Sequence, residues 1–168
     1  IRPQSAEYHD YRGYAGRIAG GVFKAGDEIL VLPSGFTSKI SSIDTYEGAV
    51  KEAFAPMSIT MRLKDEIDIS RGDMIVRANN KPKISQDVDL MICWINKKPL
   101  VLNGKYAIRQ TTREARCIIK KVLYKVDVNN LHRIKDDKEI KLNDIGRITL
   151  RTTKPFFYDS YRRNRITG

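Results

Sequence analysis

At 168 residues the chain has room for one medium domain or two small ones, each with a modest core. Its 41% hydrophobic and 30% charged residues describe a globular protein, and no apolar run approaches the roughly 18 residues of a membrane span. The net charge of +11 lies in the second half: residues 1–78 carry 10 Lys and Arg against 11 Asp and Glu, net −1, whereas residues 79–168 carry 21 against 9, net +12.

A charge step of that size predicts two domains with different surfaces, 1–79 and 80–168, joined near the turn-rich "RANNKPKIS". The basic half suits a nucleic acid, an acidic protein or an anionic nucleotide, and equally a lysine-rich solvated face. The opening "IRPQSAEYHD" has no basic-then-apolar leader and starts on Ile1, which reads as a fragment or a processed chain.

In chain order, "GRIAGGVF" and "AGDEILVLPSG" read as strands, the second ending in a Pro-Ser-Gly turn. "SKISSIDTY" alternates Ile40 and Ile43 imperfectly and breaks at Glu47-Gly48, and "SITMRL" puts Ile59, Met61 and Leu63 on one face. "DEIDIS" repeats the alternation with Ile67 and Ile69, putting Asp65 on their face and Glu66 and Asp68 on the other. Arg71-Gly72-Asp73 spells an adhesion tripeptide but stands between strand patterns, where Gly72 supplies the positive φ of a turn re-entering a strand. Strand patterns continue through "VDLMICWI", "KYAIRQTT", "ARCIIKKVLYKVDV" and "GRITLRTT". Helix is limited to single turns near "SAEYHDY" and "NNLHRI". Short strands about ten residues apart, separated by Gly, Pro, Asn or Asp, predict an all-β antiparallel fold.

Chemistry is harder to find. No Gly-x-x-x-x-Gly-Lys-Ser/Thr phosphate loop is present, and "INKKP" echoes a guanine reader with Pro99 where the Asp belongs. His9, Asp10 and Ser5 are too close on an extended segment to converge, and His132 reads as a surface loop residue. Cys93 and Cys117 lie in apolar runs and read as buried reduced thiols; with two distant histidines they make no zinc set. "DEID" reads as a solvated face rather than a magnesium site. Within "YKVDVNNL" the alternation turns Tyr124, Val126 and Val128 inward and Lys125 and Asp127 outward, with Asn129-Asn130 in a turn. No residue is expected to be catalytic, to hold a cofactor or to bind a metal.

"YRGYAGRIAGG", "VLPSG", "EAFAPMSITMRLKDEIDISRGDMIV", "MICWINKKPL", "YKVDVNNL" and "LNDIGRITL" occur here in this order. Together they resemble the large, GTP-binding subunit of bacterial heterodimeric sulfate adenylyltransferase (ATP sulfurylase), a relative of elongation factor Tu. The resemblance covers the whole chain but only the second and third domains of that family. "QSAEYHD" makes the first loop longer than in some members. It implies two consecutive antiparallel β-barrels, with the last strand of the second missing after "DSYRRNRITG". It also implies that GTP and magnesium belong to a GTPase domain outside these residues, leaving no cofactor here. The expected role is to couple GTP hydrolysis to adenylyl sulfate formation from ATP and sulfate, in the cytoplasm. The expected partners are the small catalytic subunit and the parent's own GTPase domain, with no membrane. Asp127 and Asn129, and Arg162, Arg163 and Arg165 in "YRRNR", are the candidate partner contacts. An RNA-binding barrel module is the alternative reading; sparse aromatic residues weigh against it.

Overall fold

The computed structural model describes residues 11–168; His9, Asp10, Ser5 and nearly all of "SAEYHDY" lie outside them. The described residues form 13 strands and no helix, as the alternation predicts.

The first compact unit comprises residues up to Lys83 together with Phe157–Gly168. Its main sheet contains β1 (Tyr14–Arg17), β3 (Glu28–Leu32), β4 (Thr37–Thr45), β7 (Ser58–Leu63) and β8 (Met74–Arg77), in the order β1-β7-β4-β3-β8. The short β5 (Gly48–Val50) pairs with β4, while β2 (Val22–Lys24) and β6 (Glu52–Phe54) make a separate ribbon. Period-2 burial turns Ile59 and Met61 of β7 onto one core with Ile29 and Val31, and a register shift between Ile40 and Ser42 brings both Ile40 and Ile43 of β4, three residues apart, onto the same core. Each such fully buried side chain is worth about 1.5–3 kcal/mol of transfer free energy. A second cluster brings Leu30, Leu32 and Val76 against Phe157.

The second unit, Ile84–Phe156, is built on β9 (Lys83–Cys93), β10 (Lys105–Gln110), β11 (Arg113–Val126) and β13 (Ile145–Tyr158), in the order β10-β11-β13-β9. The two-residue β12 (Arg133–Ile134) adds to β11. Leu100, Cys117, Ile119, Val122, Ile140, Ile148 and Leu150 form its core.

The all-β architecture is as expected, in ladders that do not close into a ring: after β1 the chain leaves the main sheet to pair as β2 with β6. Several finer expectations are corrected. "GRIAGGVF" is two strands, broken at Ile18–Gly21, where Gly21 takes φ 74°. "DEIDIS" is not a strand, because no neighbouring strand pairs with it; Ile67 and Ile69 still pack on the core. "NNLHRI" is a turn and a short strand rather than a helical turn. β13 continues beyond "GRITLRTT" through Pro155 to Tyr158, with Phe156 and Phe157 buried. Cys117 is buried, but Cys93 is exposed, since the alternation of β9 turns it outward. Both thiols are free.

The most consequential departure lies in β11, whose register against β13 slips between Ile119 and Lys121 and again between Val122 and Tyr124. Each slip is a bulge that resets the alternation. The first buries Ile119 and Val122 and leaves both Lys120 and Lys121 exposed; the second turns Lys125 inward instead of outward.

Candidate protein-interaction surface

Most of the charged side chains singled out by the sequence are engaged in holding local structure. Arg12 binds Glu66 and Asp68 and donates to the Ile67 carbonyl at 3.0 Å, while the Tyr14 hydroxyl donates to the same carbonyl. Asp65 accepts from the Ser38 hydroxyl at 2.7 Å. The acidic "DEID" run is thus tied down by one arginine, one tyrosine and one serine. Asp73 of the Arg-Gly-Asp tripeptide accepts from the Ser70 amide at 2.9 Å, and Gly72 has φ 97°, closing the turn into β8. In "INKKP" the Asn96 side-chain oxygen accepts from the Lys98 amide, and the Trp94 indole donates to the Lys98 carbonyl. Asp27 accepts from the Lys24 amide and pairs with Arg77; burial pulls its pKa up, but these two partners outweigh it and leave the carboxyl below its ordinary value.

The end of β11 holds the densest polar network. Lys125, whose side chain is 11% exposed, reaches Asp137 at 2.8 Å and Asp144 at 2.9 Å. The Asp137 hydrogen bond raises the Lys125 pKa, against the cost of burial and with help from Asp144. Lys125 in turn holds Asp137 below the ordinary carboxylate value. For Asp144, burial acts upward but Lys125 and the Lys141 amide overcome it, so its pKa is also lowered. Gly146 stands opposite Lys125; a Cβ there would come within 2.7 Å of the Ile140 Cδ1, so a larger residue would make that buried side chain shift.

Beyond Lys125 the chain turns. Asp127 accepts from the Asn129 amide at 2.9 Å through one carboxylate oxygen and from the Asn130 side-chain amide at 3.0 Å through the other. Its carbonyl accepts from the Leu131 amide, and its own amide donates to the His132 carbonyl. The Asn129 amide bond is the largest cause holding Asp127 below the ordinary carboxylate pKa. The turn is therefore firm at neutral pH and loosens as pH falls through that lowered value. Replacing Asp127 by Ala is expected to speed hydrogen exchange at the Asn129 and Leu131 amides at neutral pH; equal protection in both proteins would contradict this role.

The predicted contact residues fall into two groups. Asp127 and Asn129 meet in this one turn, where the Asp127 carboxylate is occupied. Arg162, Arg163 and Arg165 are exposed on the C-terminal segment of the first unit, where Arg163 bonds Asn80 at 3.1 Å. The turn exposes two apolar residues, Val128 at 60% and Leu131 at 76%. Strict alternation had sent Val128 inward, and nothing local marks Leu131 as the residue that the Asp127 turn holds at φ 62°. His132 is exposed, as expected. Among the described residues no cluster of His, Cys, Asp or Glu has the geometry to hold a metal ion, and no helix is long and apolar enough to cross a membrane.

Residues 87–168 match the family model described as GTP-eEF1A C-terminal domain-like. Over 169 aligned residues the chain is 47% identical to the bifunctional enzyme CysN/CysC of Mycobacterium tuberculosis, covering 100% of the chain and 28% of that protein. It is 40% identical to sulfate adenylyltransferase subunit 1 of Bacteroides thetaiotaomicron, over 95% of the chain and 34% of that protein. The chain therefore spans about a third of these relatives. Among solved structures, Sup35 complexed with GDP superposes with a TM-score of 0.84 at 15% identity, over 94% of the chain and 41% of Sup35, a likeness of fold.

Proposed function

We propose that this chain, homologous from end to end to a segment of the large subunits of sulfate adenylyltransferase, is the non-catalytic β portion of such a subunit. In this reading it couples GTP hydrolysis to the formation of adenylyl sulfate from ATP and sulfate, and it contacts the small catalytic subunit. GTP and its magnesium ion are held by a GTPase domain outside these 168 residues, the chain itself takes no cofactor, and the complex works in the cytoplasm. The relatives' name, subunit 1, implies a second subunit. The observation that carries the reading is the full-length alignment at 40–47% identity. The engagement of the Arg12, Asp65, Asp127 and Lys125 groups in turns and ion pairs supports it, since those residues are committed to scaffold.

The test uses the full-length protein that carries these residues, with and without them. Removing residues 11–168 is expected to leave GTP binding in place while abolishing co-purification with the small subunit and GTP-stimulated adenylyl sulfate formation. Retention of both in the shortened protein would refute the reading.

A further inference from the structure

We propose that the turn joining β11 to β12, residues 127–132, is a preformed anchor for the partner subunit, seating Val128 and Leu131 in an apolar pocket rimmed by carboxylates. This deepens the coupling role above and rests on it.

Leu131 is doubly misplaced for a residue with only a structural task. Its φ of 62° belongs to the left-handed region, where Gly, Asn and Asp are at home and a leucine is strained. Its side chain is nevertheless 76% exposed, so no burial in this chain compensates the strain. Two asparagines stand immediately before it, yet leucine occupies the strained position. Outliers of this kind point to a role outside the fold.

The tip is also held ready. The Leu131 amide donates to the Asp127 carbonyl at 2.8 Å, the His132 amide donates to the Asn130 side-chain oxygen at 2.8 Å, and the Asp127 amide donates to the His132 carbonyl at 2.9 Å. An anchor already in its bound shape loses little conformational freedom on docking.

The surroundings set the chemistry of the partner. Directly after the turn, Arg133 lies over the Tyr124 ring at 4.8 Å and Lys135 is exposed. Neither cation has an ion-pair partner among the described residues, whereas Asp127 and Asp137 are occupied by the turn and by Lys125. An apolar tip flanked by unpaired cations complements an apolar pocket with an acidic rim. The exposed apolar residues of the tip, Val128 and Leu131, are aliphatic and His132 is its one ring, whereas nucleic-acid bases stack on aromatic platforms, so the surface fits a protein.

The experiment co-expresses the full-length protein with the small sulfate adenylyltransferase subunit of the same organism. Leu131→Gly and Leu131→Asn both suit the left-handed backbone. Each is expected to keep or raise the thermal midpoint while weakening subunit association at least ten-fold. Arg133→Glu with Lys135→Glu is expected to weaken association and to flatten its salt dependence. Wild-type association with neither leucine variant impaired would overturn the anchor and leave the coupling role standing. Failure of the wild-type protein to associate would remove the coupling role itself. If the variants instead lost binding to a short RNA while keeping the subunit, the occupant would be nucleic acid and the proposal would fall.

Discussion

Replacing Phe157 by Ala is expected to destabilise the first unit by about 3–5 kcal/mol, the usual cost of emptying a large aromatic site in a core. Phe157 is 1% exposed and packs with Leu30, Leu32 and Val76, with Met74 partly buried against them. Leu30 and Leu32 pair with Val76 and Met74 across the β3–β8 ladder, so Phe157 covers four residues already fixed by backbone hydrogen bonds. Such a site collapses poorly, which places the cost toward the upper end of that range. Denaturant unfolding gives the magnitude, and faster amide exchange at Leu30, Leu32 and Val76 locates it. A loss below about 1 kcal/mol would mean that Phe157 does not belong to this core.

Lys125→Met is the second large effect, at about 1–3 kcal/mol. The variant keeps the apolar stem and removes the charge, leaving Asp144 without its cation in a half-buried place. The figure stays below that of a deeply buried pair because Asp137 is half exposed and water can replace its partner. The pH dependence follows from the directions of the shifts. Asp137 and Asp144 have folded pKa values below the ordinary 3.8, so their contribution is full above pH 3.8 and is lost as pH falls through the lowered values. Lys125 is raised above 10.5, so its contribution is full below that pH and is lost as pH rises through the raised value. The stability gap between wild type and variant is therefore expected to be flat from pH 5 to 9 and to shrink toward pH 2. Trp94, the chain's only tryptophan and part of the second unit, gives the fluorescence signal. A gap that persists unchanged in acid would contradict the triad.

What could be read from sequence was whatever depended on one strand at a time. The alternation of Ile59 and Met61 in β7 identified residues that are buried on the first core, whereas Ile40 and Ile43 in β4, three residues apart, share that core only through a register shift against β7. Gly72 was legible as a turn glycine because its need for positive φ is local. The misreadings share a cause: each depended on a second segment. Lys125 faces inward because β11 slips against β13, and a bulge of that kind has no signature in one strand alone. "DEIDIS" alternates like a strand, but among the described residues no strand pairs with it, and its backbone bonds side chains such as Arg12 and Tyr14 instead. Phe157 lies beyond the "GRITLRTT" strand pattern, yet it joins a core whose other residues lie more than 80 residues earlier in the chain. Among the candidate contacts, the turn at Asp127 was legible from Asp and Asn chemistry. Exposure of Val128 and Leu131 was not, because it follows from the closed hydrogen-bond ring of that turn.

The central claim is that these residues carry contacts and leave nucleotide chemistry to another domain. Titration calorimetry of GTP with magnesium into the 168-residue chain tests it most directly. The account predicts no saturable heat, with the chain's strand signal in circular dichroism confirming that it is folded. Saturable binding at micromolar GTP to the folded chain would contradict it.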